Sequence, residues 1–422
     1  MTLERLTIER LGSRGEGVAR LCGTPVFVPY ALAGETVLAE VEGDRARLVE
    51  IVEPSPERVA PICPYYGMCG GCAVQTLAPA AYAEWKRRLV ADALRNAGVD
   101  APVAPLIDAH GAGRRRATFH ARVEKGAGRV GFMRARAHEI VEIDACPLFA
   151  RELAGALPAA RAVAGAMAAR GKPLDITVIA TLDGLDIDIR GSGPLEERES
   201  SALLEAAAAH DLARLCNHGR LVALRRKPRL AIGAALVAPP PGAFLQATQA
   251  GEDAIARLVL DAAKGAARVA DLFCGLGAFA LRLAAHSRVC AFDSDAAAIA
   301  AMQEGARGGA GLRLDESGAR DLFRRPLSAG ELSAFDAVVF DPPRAGAEAQ
   351  AQEIARSALG LAVAVSCNAR TFARDAKILV DGGYAFGAVT PIDQFRFSPH
   401  VEIVAVFRRA GRSPRKRSLL SR

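Results

Sequence analysis

The sequence lacks a membrane span. Its longest apolar stretches are alanine-rich and broken by glycine or charge, whereas a spanning helix needs about 20 apolar residues in succession. The first ten residues carry acids early and lack the basic head and apolar middle of a signal peptide, so a cytoplasmic location is expected. The nine cysteines are an odd number, and without an export signal they are not expected to form stable disulfides. Clustered cysteines then become candidate metal ligands or catalysts. No internal repeat of solenoid length is found. A general excess of positive charge is missing as well. The net charge is +7, but residues 408–422 alone hold seven Arg/Lys and no acid. The body is neutral, and any contact with a polyanion must use local patches. Nothing calls for an obligate protein partner, and a monomer is expected.

At 422 residues, two or three domains are expected. Residues 1–53 read as short strands broken by glycines, the pattern of a small β-barrel. Glu53-Pro54-Ser55-Pro56 is an exit, and residues 54–238 form a mixed α+β region. Within it an amphipathic helix is expected over about Pro79 to Ala97, with Trp85, Leu89, Val90 and Leu94 on one face. Thr177–Thr181 and Leu185–Ile189 flank Asp183-Gly184 as a hairpin. Pro239-Pro240-Pro241-Gly242 opens the next region, residues 239–408. There, continuous apolar strands ending near Phe273, Asp293, Asp341 and Ser366 alternate with helices. That alternation predicts an α/β Rossmann-like fold with a parallel, doubly wound sheet. Residues 409–422 are a basic tail expected to be disordered.

One local basic patch stands out. Residues 111–140 carry Arg114, Arg115, Arg116, Arg122, Lys125, Arg129, Arg134 and Arg136 against only Glu124 and Glu139, interleaved with Phe119, His120 and Phe132. Phosphate neutralisation with base stacking suits single-stranded RNA, and a solvated strand face is the rival reading.

Asp271-Leu272-Phe273-Cys274-Gly275-Leu276-Gly277 lies at a strand-to-helix turn, and Asp293 ends the next strand. Such a loop lets the backbone approach a nucleotide-like cofactor while the acid accepts ribose hydroxyls. By itself it fits NAD equally well. The third strand ends in Asp341-Pro342-Pro343-Arg344, where Arg344 replaces the aromatic residue common in amine methyltransferases. The fourth ends in Val365-Ser366-Cys367-Asn368. A cysteine there can be simple packing, or a nucleophile beside the cofactor. Thiolate addition to C6 of uracil would make C5 nucleophilic enough to take a methyl group from S-adenosylmethionine. A general base must then remove the C5 proton. Glu402, at the start of the last apolar strand after Asp393-Gln394-Phe395-Arg396-Phe397-Ser398-Pro399-His400-Val401, is the candidate. Its plain alternative is an edge-strand acid.

The N-terminal residues Gly15-Glu16-Gly17-Val18-Ala19, Val26-Phe27-Val28-Pro29 and Gly34-Glu35 resemble the TRAM domain, an OB-like barrel of RNA-modifying enzymes. Phe244-Leu245-Gln246, the cofactor loop, Asp341-Pro342-Pro343-Arg344, Ser366-Cys367-Asn368 and His400-Val401-Glu402 resemble the RNA uracil-5-methyltransferase family. The resemblance spans nearly the whole chain. It implies a class I methyltransferase domain preceded by the barrel and a central RNA-binding region. It also implies cofactor contacts from Gln246, Phe273, Asp293, Asp321 and Asp341, with Cys367 as nucleophile and Glu402 as base. Thr248 and Ala278 stand where the family often has asparagine.

Cys63, Cys69 and Cys72 form C-x5-C-x2-C, and Cys146 precedes Pro147. Four thiolates can hold zinc or an iron–sulfur cluster. Three close cysteines and a distant one before proline fit a [4Fe–4S] cluster, with zinc the alternative. The same arrangement occurs in the branch of the family that modifies 23S ribosomal RNA, the expected substrate. Transfer RNA, or RNA binding without catalysis, are the alternatives. Cys22, Cys216, Cys274 and Cys290 read as core residues.

Overall fold

The computed structural model describes residues 2–124, 127–168 and 171–409. Lys125 of the basic patch and residues 410–422 of the basic tail lie outside them. No described helix is long and apolar enough to cross a membrane.

Three main sheets follow the chain. Thr2–Thr7, Arg10–Leu11, Gly17–Leu21, Thr24–Val28, Thr36–Glu42 and Arg45–Glu53 make a six-stranded sheet. It packs around Leu6, Ile8, Val26, Val28 and Val37, the alternate apolar positions that a two-residue strand period sends to one face. A seven-stranded sheet follows. Its centre is the strand Arg116–Glu124 beside the hairpin Leu174–Thr181 and Gly184–Arg190, where the sequence puts the hairpin. Helix Ala156–Ala166 covers it, its Ala and Val side packing on Phe119, Ile176 and Val178.

The third sheet carries the chemistry-bearing motifs. Leu314–Ala319, Arg288–Asp293, Arg268–Leu272, Ala337–Phe340 and Leu361–Ser366 are parallel, as expected of buried apolar strands between helices. The next strand, Glu402–Arg409, departs from that pattern. It runs antiparallel to Leu361–Ser366, and Thr390–Asp393 runs antiparallel to it in turn. The sheet is therefore mixed. Glu402–Arg409 is flanked on both sides, so Glu402 is not an edge-strand acid.

Residues ahead of the third region also join this sheet. Ile107–Asp108 pairs with Thr390–Asp393. Helix Pro79–Asn96 starts with proline at its first turn, where the missing N–H is harmless. Its Val90 and Leu94 pack with Leu272, Phe340 and Phe372, while Tyr82 and Trp85 pack with Leu32, Val74 and Leu77. The Trp85 indole N–H donates to the Gly12 carbonyl at 3.2 Å. One helix thus joins the N-terminal sheet to the third. Leu89 is only half-buried, and Lys86 takes the fully buried place instead.

A second junction is ionic. Arg115 leaves the basic patch for the interior, where it donates to the Gln246 carbonyl at 3.1 Å and pairs with Glu252. Glu252 also accepts from Arg282 at 2.8 Å. Removing one partner of a buried ionic group strands the others, at a cost of about 3–5 kcal/mol. Glu252→Ala is expected to destabilise the protein by about that much in denaturant unfolding, since it leaves two buried guanidiniums without their shared acid.

Candidate functional site

The motif residues converge at the carboxyl ends of the parallel strands. Leu272 pairs with Phe340, Phe340 with Ala364, and Ser366 with Ile403. Residues just past these pairs are therefore Phe273, Asp341, Cys367 and, because the last strand runs backwards, Glu402. Asn368 caps helix Ala369–Asp381, accepting from the Arg370 and Thr371 amides, and its side chain donates to the Arg344 carbonyl at 3.2 Å. The Asp341–Arg344 loop is thereby tied to the Cys367 turn.

Glu402 is 2% exposed. One carboxylate oxygen accepts from Gln394 Nε2 at 3.1 Å, and the other meets no hydrogen-bond partner. Burial pushes its pKa up to about 7, against the pull of Gln394, Lys86, Arg344 and Arg116. Gln394 also donates to Gln246 Oε1 at 2.5 Å, and its own carbonyl accepts the Thr248 amide at 3.3 Å. Gln246 donates onward to Asp341 Oδ2 at 3.3 Å. A continuous hydrogen-bonded chain therefore runs Asp341–Gln246–Gln394–Glu402. Gln394 is absent from the sequence-level candidates. Lying eight residues before Glu402, it gives no local signal, because only the antiparallel ladder brings the two together.

Cys367 is half-buried. Burial, then Glu402 and Asp341, push its thiol up to about 12, and Arg344 is the cation that opposes them. Arg344 lies 3.2 Å from His400 Nε2. Burial and the nearby Arg344, Lys86 and Arg114 lower His400 to about 4, so the ring is neutral at pH 7 and Nε2 accepts the guanidinium hydrogen. Asp341 is raised well above the ordinary carboxylate range by burial, Glu402 and Asp271.

The cofactor-side residues form a second group. Phe273 has φ +60°, a left-handed conformation unusual for a residue with a side chain, and its ring packs on Phe323 at 5.4 Å. Asp293 accepts the Gly275 amide on one oxygen at 2.9 Å and the Asp295 amide on the other at 2.8 Å. Each oxygen keeps an acceptor site, which fits a ribose diol. Asp321 accepts the Phe323 and Arg324 amides at 3.0 and 3.2 Å, fixing the turn that carries Phe323. Its neighbour Arg320 donates its amide to the Asp293 carbonyl at 2.7 Å. Aromatic pair, acid and glycine loop suit an adenosine-bearing cofactor.

Cys63, Cys69, Cys72 and Cys146 line one cavity of about 230 Å³, with Tyr65, Arg114 and Phe149. Burial pushes Cys69 and Cys146 up, and Cys72 to about 11. Among the described residues no group of three or more His, Cys, Asp or Glu side chains is arranged to hold a metal ion, so the structure does not support the expected metal site. Cys216, Cys274 and Cys290 are buried as expected, but Cys22 is exposed, in a turn with φ +50°.

Phe119 of the basic patch does not offer its ring for stacking, and His120 pairs with Asp175 at 2.7 Å. Phe119 is fully buried, and Phe132 and Phe149 pack on it at 5.3 and 6.0 Å. Alternation along the strand sends Phe119 into the core, and Phe132 and Phe149 are half-buried against it. Arg129, Arg134 and Arg136 pair with Glu142, Glu139 and Glu16. Arg116 instead stacks on exposed Phe244 at 4.6 Å, and Arg114 lies over Phe395 at 5.8 Å.

Residues 3–49 match the TRAM domain. An uncharacterized RNA methyltransferase of Brucella suis is 45% identical over 402 residues, 95% of this chain and 97% of its own. The 23S rRNA (uracil(1939)-C(5))-methyltransferase RlmD of Pseudomonas savastanoi is 34% identical over 432 aligned positions, 96% of this chain and 93% of its own. The chain belongs to the RNA uracil-5-methyltransferase family. A Pyrococcus abyssi tRNA (uracil-54, C5)-methyltransferase, solved with S-adenosyl-L-homocysteine, shares the fold. Its TM-score is 0.73 at 23% identity, covering 96% of this chain and 99% of that one. An S-adenosylmethionine-dependent RNA uracil methyltransferase thus carries this carboxylate-rich site.

The raised pKa of Glu402 has a thermodynamic sign. A carboxyl held at about 7 when folded, against 4.5 as its ordinary value, binds more protons folded than unfolded between those limits. Its contribution to stability is present below about pH 4.5 and is lost as pH rises through 7. Glu402→Gln is expected to be more stable than the parent at pH 8, by roughly 1–3 kcal/mol, with the gap closing by pH 5. Thermal unfolding across that range checks it.

Proposed function

We propose that this enzyme methylates C5 of a uridine in 23S ribosomal RNA by covalent addition and elimination, with Cys367 as nucleophile and Glu402 as base. The observation that carries the reading is the adjacency of the two groups across the antiparallel ladder, with one Glu402 oxygen free. S-adenosylmethionine supplies an electrophilic methyl group, and Gln246, Phe273, Asp293, Asp321 and Asp341 are the proposed contacts. The other steps belong to the chain. Cys367 Sγ, deprotonated beside Arg344, bonds to C6 while the C5=C6 pair moves toward O4. C5 then takes the methyl group. Glu402 accepts the C5 proton on its free oxygen, the C–H pair restores C5=C6, and the C6–S bond breaks to return the thiolate. Gln394 holds the other oxygen, so the basic lone pair faces one way.

The ribosomal substrate is supported by the Pseudomonas relative, named for that reaction. We also assign the four-cysteine cavity to an iron–sulfur cluster. The support is that all four cysteines line one cavity, three of them close in sequence and the fourth before a proline; zinc on the same four thiolates is the alternative. Protein purified without oxygen is expected to contain about four irons and four sulfides per chain; zinc without sulfide would overturn the assignment.

RNA bearing 5-fluorouridine at the target tests the mechanism, since fluorine cannot leave as a proton does. The parent should form a stable protein–RNA adduct, and Cys367→Ala none. Glu402→Gln should methylate uridine yet stall as a covalent complex. Turnover of the parent should rise with pH through about 7 as Glu402 ionises. An adduct formed equally by Cys367→Ala refutes the nucleophile.

A further inference from the structure

The loop between Asp393 and Glu402 is held from outside its own sheet. Lys86, in the middle of helix Pro79–Asn96, is 0% exposed. Its ammonium lies 2.8 Å from Asp393 Oδ1 and donates to the carbonyl oxygens of Phe395, at 3.3 Å, and His400. Three hydrogens meet three acceptors, which is the full capacity of the group. One turn earlier, the Tyr82 hydroxyl donates to Asp393 Oδ2 at 2.6 Å and accepts the Phe397 amide at 2.9 Å. The Phe397 carbonyl accepts the amides of Ala73 and Val74, at 2.7 and 3.2 Å, directly after Cys72. Phe397 itself has φ +63°, a conformation a residue with a side chain keeps only where its surroundings impose it.

We propose that Lys86 is a positioning residue for the base: its buried contacts fix the Asp393–His400 loop and thereby set where the free oxygen of Glu402 points. A buried ion pair is a poor way to gain stability, because desolvation offsets the attraction and apolar residues of like volume often do as well. What an apolar residue cannot supply is direction. Lys86 ties the start of the loop, its middle and the residue two before Glu402 to one atom. The loop reaches Glu402 with one intervening residue, Val401, and its Gln394 touches the carboxylate directly. A small shift of the loop would therefore move the base against C5, while Cys367, on a different strand and turn, would feel it only through the His400–Arg344 contact.

This inference rests on Glu402 being the base. The test uses the full chain, S-adenosylmethionine and a 23S ribosomal RNA transcript made with uridine or 5-fluorouridine. Lys86→Met leaves Asp393 buried without its cation, so the double variant K86M/D393N, which removes both charges, carries the test. It should lose far less in the rate of 5-fluorouridine RNA capture than in product release, because Cys367 stays on its own strand while only its neighbour Arg344 touches the loop, at His400. On uridine RNA it should release product about tenfold to a hundredfold more slowly, so that a covalent complex accumulates. Glu402→Gln is run beside it. Equal losses in capture and release mean a merely structural role and overturn the proposal. So does normal release by the double variant while Glu402→Gln stalls. If Glu402→Gln itself turns over freely, the base assignment falls and this proposal with it.

Discussion

Ser366 and Ile403 face each other across an antiparallel ladder, and this register brings the proposed nucleophile and base together. Cys367 follows the first and Glu402 precedes the second. Had the last strand run parallel like the five before it, its first residue would lie at the opposite edge of the sheet, about 20 Å away for a six-residue strand. Reversal turns a strand start into a neighbour of a strand end. The rest of the site is built around that meeting, with Asp341 and Phe273 one and two strands away and Gln394 joining from the strand beyond.

Bringing acids together at a buried place has electrostatic consequences that work as a set. Glu402 and Asp341 both raise Cys367, and Glu402 and Asp271 both raise Asp341. Arg344 is the counterweight: it lowers Cys367 and Glu402 together. Neutral His400 holds that guanidinium without competing for charge. Burial and mutual repulsion thus hold Glu402, Asp341 and Cys367 toward their protonated, neutral forms. Any change that neutralises Asp341 or Glu402 therefore also removes part of what keeps the Cys367 thiol protonated.

Much of this was legible in the sequence, for physical reasons that also mark the limits. Apolar runs of strand length between helices announce a doubly wound sheet, and glycine loops and prolines mark the strand ends. Strand direction left no trace, since Ile403–Phe407 is as apolar as Leu361–Val365. Phe119 in the basic patch misled because a run of arginines draws attention from the two-residue period, which sends its ring inward. Lys86 sits on the buried stripe of its helix, where a sequence reading expects only apolar residues. A lysine in that stripe is the one sign that a buried acid lies opposite, and the acid, Asp393, is 307 residues away.

That separation bears on why the cysteine segment and the last strand belong to one machine. The loop from Asp393 to Glu402 contains Pro399, which has no amide hydrogen, and a left-handed Phe397, so its own backbone offers little to hold it. Its anchors come from residues 73, 74, 82 and 86, a stretch that begins immediately after the third cysteine. Tyr66, inside the cysteine segment, donates to the Ala73 carbonyl at 2.8 Å, which steadies the same backbone from the other side. The cysteine segment is thus joined to the loop that precedes Glu402 by short hydrogen bonds. Whatever the four cysteines hold, their segment reaches the last strand through those few backbone groups.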